Sequence, residues 1–192
     1  MQALISPLKE LAEFQQMKEE LKRGSAFVQA AGCVNSQKTH MMYALGDERK
    51  KKLIVCPSET KAKQTFEEYR FLDTNTWFYP AKDFLFYQAD IRSKELVKER
   101  MEVIRALLEE DSIAVVTSFD GLLDALLPLE EIRKKVFTIQ PGDVFEFEKL
   151  IQMLSSLGYD REAQVEGIGQ FAVRGGIIDI FPLTENAPVR IE

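Results

Sequence analysis

The loop at residues 32–39 has the sequence Gly32-Cys33-Val34-Asn35-Ser36-Gln37-Lys38-Thr39. A phosphate-binding loop reads G-x-x-x-x-G-K-[ST] and lies between a strand and a helix. Gly32, Lys38 and Thr39 fit that pattern, but Gln37 stands in place of the second glycine. A side chain at this position crowds the backbone N–H groups that would hold the phosphates. The loop is therefore predicted to be a degenerate phosphate loop.

The regions on both sides of this loop alternate between strand and helix patterns. Mostly apolar runs at 26–30, 53–56, 77–79 and 113–117 predict strands. Helices are predicted at 3–23 and 93–108, where apolar residues recur at helical spacing, and at 37–45 and 61–72. Continuously apolar strands that alternate with helices are typical of a parallel sheet covered on both faces. The first part of the chain is thus predicted to have an α/β fold, with a degenerate P-loop or RecA-like parallel sheet.

A working nucleotide site also needs a carboxylate that follows a strand and holds magnesium. The strand predicted at 113–117 leads into Ser118, Phe119 and Asp120, and no Asp-Glu pair follows a strand in this region. The missing acid and Gln37 together favour a binding module over an ATPase. Two readings stay open for the loop, a relic connection or weak anion binding by Lys38 at the helix N-terminus.

The pattern changes near residues 127 and 128. A helix is predicted at 146–157, followed by short strands at 164–166, 169–174 and 177–181 with glycine-rich turns, which is typical of an antiparallel sheet. We therefore predict two domains, at 1–127 and 128–192, the second being a small α+β domain. The last residues, 188–192, lie inside a strand pattern, which predicts that further sequence follows.

The composition excludes several classes of function. The 192 residues carry 25 basic and 31 acidic side chains, a net charge of −6, whereas free-standing nucleic-acid binders are usually basic. Two cysteines and one histidine make neither a disulfide framework nor an expected zinc site. With no secretory signal and no apolar run long enough to span a bilayer, we expect a cytoplasmic protein without membrane contact.

Several segments resemble the N-terminal, UvrB-homology region of the bacterial transcription-repair coupling factor family (Mfd). They lie at 53–64, 78–83, 93–104, 158–161, 169–184 and 188–192. UvrB itself carries a long aromatic hairpin that probes damaged DNA, and residues 84–92 are too few for such a hairpin. Phe84, Phe86 and Tyr87 are accordingly expected to be packing residues.

The resemblance implies that the second domain binds the repair protein UvrA. By motif position, Arg161 and Arg174 match arginines that contact UvrA in the family, and Phe181 matches a family aromatic residue. Arginine and aromatic side chains on a rigid sheet are also the usual chemistry of interface hot spots. Ala172 departs from UvrB, which has another arginine there. Asp179 is expected to face solvent or to pair with an arginine, Arg174 or Arg190.

The function implied by the resemblance is recruitment of UvrA in transcription-coupled nucleotide excision repair. The full-length family protein is an ATP-dependent DNA translocase that acts on stalled RNA polymerase and double-stranded DNA. Its ATP, magnesium, polymerase and DNA sites belong to domains outside this chain, so no cofactor and no catalytic residue is expected here. In the family, a distal domain hides the UvrA-binding surface in the resting protein. The alternative is an ATP-binding, UvrB-type or helicase-type domain that acts directly on DNA.

Overall fold

The computed structural model describes residues 5–25, 27–34, 36–46, 48–82 and 90–192. Within these ranges, no helix has both the length and the apolar composition that crossing a bilayer requires. Phe84, Phe86 and Tyr87 lie outside the described residues, so the prediction that they pack in the interior stays a prediction.

The described helices and strands follow one another along the chain in mixed order. After a short 3-10 helix at Ser6–Glu10, the helices are α1 (Ala12–Lys22), α2 (Ser36–Gly46), α3 (Glu59–Arg70), α4 (Asp90–Glu109), α5 (Phe119–Leu122), α6 (Leu129–Arg133) and α7 (Phe147–Ser156). The strands are β1 (Lys51–Cys56), β2 (Thr76–Tyr79), β3 (Ile113–Ser118), β4 (Asp160–Glu162), β5 (Gln170–Arg174), β6 (Ile177–Ile180) and β7 (Val189–Ile191).

The chain divides into two compact units. The first comprises Met1–Ala81 and Glu110–Leu123, and the second comprises Lys82–Glu109 and Asp124–Glu192. This division differs from the predicted domains 1–127 and 128–192, since the long helix α4 belongs to the second unit although it precedes β3 in sequence.

The first unit contains a three-stranded parallel sheet in the order β1-β3-β2. The central strand β3 is buried at all six positions, as expected for an apolar strand with neighbours on both sides. The predicted α/β class and the parallel sheet are confirmed. The strand predicted at 26–30 is wrong: residues 27–30 are irregular, and Phe27 is 78% exposed. A short, mostly apolar run without a neighbouring ladder does not suffice to form a strand.

The N-terminal helix predicted at 3–23 is interrupted at Leu11, which is extended (φ −80°, ψ 125°) and separates the 3-10 helix from α1. A core cluster of the first unit forms around Phe14 of α1 and Tyr69 of α3, which are almost completely buried. Leu8, Met41 and Ala114 belong to the same cluster. Helices α1, α2 and α3 and the 3-10 helix thus share one apolar core with β3.

The second unit contains a four-stranded sheet in the order β4-β5-β6-β7, in which only the β4–β5 pair is parallel. Helix α7 packs on it, because Leu150 and Leu154, one turn apart, are buried with Phe171, Ile178 and Ile180. The predicted small α+β fold is confirmed. The strand predicted at 164–166 is wrong, since the strand lies at Asp160–Glu162 and residues 164–166 belong to the connection that follows it.

Candidate functional site

The degenerate phosphate loop closes on itself. Gly32 has φ +84°, a conformation that favours glycine, and α2 begins at Ser36. The backbone N–H of Gln37 donates to the Val34 carbonyl at 3.0 Å, and the Gln37 side-chain oxygen accepts from the Val34 N–H at 3.2 Å. An N–H group that a phosphate cradle would direct toward its ligand is therefore bound by the side chain that replaces the glycine.

The hydroxyl of Thr39 is also bound within the protein. In a phosphate loop this hydroxyl holds magnesium, but here Thr39 is buried and donates to the Glu68 carboxylate at 2.8 Å. Gln64 donates to the other oxygen of Glu68 at 3.0 Å. An open cleft of about 460 Å³ is lined by Thr39 and Glu68 together with Ser36, Gln37, His40, Phe71 and Leu72. A carboxylate in the wall of this cleft repels phosphate, although the exposed Lys38 carries the opposite charge.

The C-terminal end of β3, where a magnesium-binding acid is expected, carries hydroxyls instead. Thr117 donates to the Tyr79 carbonyl at 2.8 Å, and Ser118 donates to the Glu59 carboxylate at 3.1 Å. Among the described residues, no group of three histidine, cysteine or acidic side chains is arranged to hold a metal. The polar groups at this end of the sheet are therefore engaged in packing the first unit together.

The register of the small sheet assigns the predicted partner-binding residues to its two sides. Arg161 pairs with Phe171, which is fully buried against α7. Because residues in register share a side and neighbours along a strand alternate, Arg161 lies on the α7 side, where it is exposed at the edge strand β4. Arg174, three residues after Phe171, lies on the opposite side. The two arginines therefore do not form one cluster.

The side opposite α7 carries an ion pair. Asp179 and Arg190 are in register, and the two oxygens of Asp179 accept from Nε and Nη2 of Arg190 at 2.7 and 2.9 Å. These hydrogen bonds hold the pKa of the Asp179 carboxyl below its usual value, and the nearby charge of Arg174 adds to the effect. The predicted pairing of Asp179 with an arginine is thus confirmed, with Arg190 as the partner.

Arg174 ends β5 on this same side and is exposed. Its Nη2 donates to the backbone carbonyl of Ala163 at 3.1 Å. This hydrogen bond uses one N–H of the guanidinium and fixes where its planar fork lies. Arg174 is therefore an exposed, oriented cation, the arrangement suited to a carboxylate of a partner.

Phe181 follows β6 and is half-buried. Its N–H donates to the Gln170 carbonyl, and its carbonyl accepts from the Gly169 N–H, both at 2.9 Å, so two residues lie opposite one. With Gly169 at φ +77°, this is the arrangement of a glycine bulge. Since Phe181 lies opposite Gln170 and Arg174 lies four residues further on, the two are about 13 Å apart along the strand. Arg174 and Phe181 therefore do not lie side by side on the sheet.

Sequence reasoning missed one residue on the side of the sheet opposite α7. The side-chain oxygen of Gln170 accepts from the backbone N–H groups of Glu166 and Gly167 at 2.9 and 2.8 Å. Gln170 thereby anchors the connection between β4 and β5. The signal in the sequence is a polar residue at the start of a strand, directly after the glycines at 167 and 169.

Comparisons with known proteins agree with this architecture. Residues 137–192 match the family model of the UvrB interaction domain. The transcription-repair-coupling factor of Bacillus subtilis is 30% identical over 188 residues, which cover 96% of this chain and 16% of that protein. The corresponding protein of Staphylococcus aureus (strain USA300) is 33% identical over 124 residues, 64% of this chain and 10% of that protein.

The chain thus spans less than a fifth of the length of the Bacillus subtilis relative, 16% of it. The match over nearly the whole chain and the domain match at its C-terminal third carry the same assignment. The chain belongs to the family of transcription-repair-coupling factors, to whose N-terminal region it corresponds, and its residues 137–192 carry a UvrB interaction domain.

Proposed function

We propose that this chain recruits UvrA in transcription-coupled nucleotide excision repair, through the sheet of its second unit. The observation that carries the proposal is the match of residues 137–192 to the UvrB interaction domain. The sheet is held by α7 on one side, so it offers a rigid platform. Rigid platforms bind well because little conformational freedom is lost on association.

The contacts we assign to UvrA are Arg161, Arg174 and Phe181. Both arginines are exposed, and arginine and aromatic residues account for much of the energy of protein interfaces. Because Arg161 and Arg174 lie on opposite sides of the sheet, UvrA contacts the edge at β4 from both sides. Phe181, at the far end of β5 and β6, marks the extent of the surface.

We further propose that this chain has no ATPase activity of its own. Gln37 and Thr39 are bound within the protein, and the Glu68 carboxylate lines the cleft beside the loop, where it would repel phosphates. ATP, magnesium, RNA polymerase and double-stranded DNA are then used by other parts of the longer protein. A cytoplasmic location accords with this role, because the bacterial chromosome lies there.

A capture experiment tests the recruitment. Immobilised UvrA should retain the 192-residue chain, and Arg161→Ala, Arg174→Ala and Phe181→Ala should each reduce the retained fraction. Arg70→Ala is the matched control, since Arg70 is an exposed arginine of the first unit, where it pairs with Glu67 at 3.7 Å and lies over the Phe66 ring. If UvrA retains the wild-type chain no better than an unrelated acidic protein, the proposed function is wrong.

A further inference from the structure

The connection between β4 and β5 is unusually short for its topology. The two strands are parallel neighbours, and parallel neighbours are ordinarily joined by a dozen or more residues. Here residues 163–169 make the whole return. So short a connection must run close to the sheet, and its position depends on a few hydrogen bonds.

Two side chains of β5 hold this connection on the side of the sheet opposite α7. Gln170 accepts from the N–H groups of Glu166 and Gly167, and Arg174 donates to the Ala163 carbonyl. Gln170 and Arg174 are four residues apart in the strand and share one side. Ala172 lies between them on that side and is only 1% exposed.

We propose that Gln170 is a positioning residue for Arg174 in the partner-binding face, an inference that rests on the proposed UvrA-binding function. Gln170 fixes the end of the connection, and the connection in turn presents the Ala163 carbonyl to the Arg174 guanidinium. Without the Gln170 acceptor, the two backbone N–H groups turn to water and the segment at 163–167 moves. Arg174 then loses its fixed orientation and must be ordered again when the partner binds.

Gln170 is also hydrogen-bonded to Phe181, the aromatic residue that we propose contacts UvrA. Its backbone carbonyl accepts from the N–H of Phe181. Arg174 and Phe181, which lie at opposite ends of the face, are therefore both connected to Gln170, the first through the connection and the second through the bulge. Only the link to Arg174 depends on the Gln170 side chain, which makes it testable by substitution.

The test compares two substitutions of similar size in the 192-residue chain. Gln170→Met removes the acceptor, whereas Gln170→Glu keeps an oxygen that accepts from both N–H groups. We expect Gln170→Met to weaken UvrA binding roughly 2- to 10-fold, the cost of ordering one long side chain, and to speed amide hydrogen exchange at Glu166 and Gly167. Gln170→Glu should keep the wild-type affinity for UvrA, and amide exchange at Glu166 and Gly167 should stay as slow as in the wild type. If Gln170→Met does not fold, Gln170→Ala replaces it.

A double-mutant cycle decides whether Gln170 acts through Arg174. In the Arg174→Ala background, Gln170→Met should cause no further loss, because the side chain that it positions is absent. Additive losses, or an equal loss for Gln170→Glu, would overturn the inference. Faster exchange with unchanged affinity would do the same and leave the proposed function standing. Failure of UvrA to bind the wild-type chain would instead refute the proposed function itself.

Discussion

The phosphate loop and the small sheet differ in whether their polar side chains are bound within the protein or exposed. In the loop, the side chains of Gln37 and Thr39 are bound to Val34 and Glu68 of the same unit. On the small sheet, Arg161 and Arg174 remain exposed. A surface binds a partner with the groups that its own fold leaves accessible, which is why we propose that the sheet, and not the loop, contacts UvrA.

The electrostatics of the two regions point the same way. In the first unit, the Glu68 carboxylate lines the cleft beside Ser36 and Gln37 of the loop, and the exposed Lys38 carries the opposite charge. On the small sheet, Asp179 is paired with Arg190, and the exposed Arg174 donates to a backbone carbonyl rather than to a carboxylate. The polar side chains of the loop thus contribute to packing, whereas the exposed arginines of the small sheet are the groups that we propose contact UvrA.

The largest effect is expected from Arg174→Ala, which removes the oriented cation of the small sheet. We expect UvrA affinity to fall about 30-fold, or about 2 kcal/mol, the lower bound for an interface hot spot. Surface plasmon resonance against immobilised UvrA measures it, with Arg70→Ala as the unchanged control. If the Arg174→Ala chain binds UvrA as tightly as the wild type, Arg174 is not a UvrA contact, and the contrast between the small sheet and the loop fails at the sheet.

Thr39→Val tests whether the phosphate loop has become a packing element. The substitution keeps the shape but removes the hydrogen bond to Glu68, which we expect to cost about 1 kcal/mol. The Tm should fall by roughly 2–4 °C for a chain of this size. Thr60→Val, at an exposed position of α3, is the control. An unchanged Tm would show that the Thr39 hydroxyl contributes nothing to the fold.

A smaller effect is expected from Asp179→Asn, which weakens the ion pair with Arg190. The folded pKa of Asp179 is lowered, so its contribution to stability is present above the unfolded pKa of about 3.9 and is lost as pH falls through the folded value. Wild type and variant should therefore differ in Tm at neutral pH and converge in acid. Both side chains are accessible to water, so salt should shrink the difference.

Thermal scans from neutral pH down to about pH 3 check this convergence, with Asp111→Asn as the control at an exposed turn. A difference in Tm that stays constant over the whole range would mean that the Asp179 carboxylate does not act through its charge. The remaining explanation would then be shape or hydrogen bonding alone.

Sequence reasoning succeeded where the signal is local. The apolar run that became β3 and the periodic segment that became α7 follow directly from residue type and spacing. The sequence also identifies Gln37 as the residue that replaces the second glycine of the loop. It does not predict the hydrogen bond of Gln37 to Val34, because the pattern does not specify the conformation of the replacing side chain.

Sequence reasoning failed where the outcome depends on partners distant in the chain. Thr39 and Glu68 are 29 residues apart, and no periodicity brings them together. The sides on which Arg161 and Arg174 lie follow from the register with β5, which requires knowing that β4 and β5 are parallel. The strand wrongly predicted at 164–166 has the same cause. Glycine-rich turns suggest a hairpin, but a short connection between the parallel strands β4 and β5 occupies these residues.

The last prediction concerns the loop, and the expected effect is none. A ligand present at 100 times its Kd stabilises the native state by about 2.7 kcal/mol, which for a chain of this size raises the Tm by several degrees. MgATP at millimolar concentration should leave the Tm unchanged, because Gln37 occupies the Val34 N–H and Glu68 occupies the Thr39 hydroxyl. A rise in Tm that disappears in Lys38→Ala would show that the loop still binds nucleotide, and the contrast between the two regions would then fail at the loop rather than at the sheet.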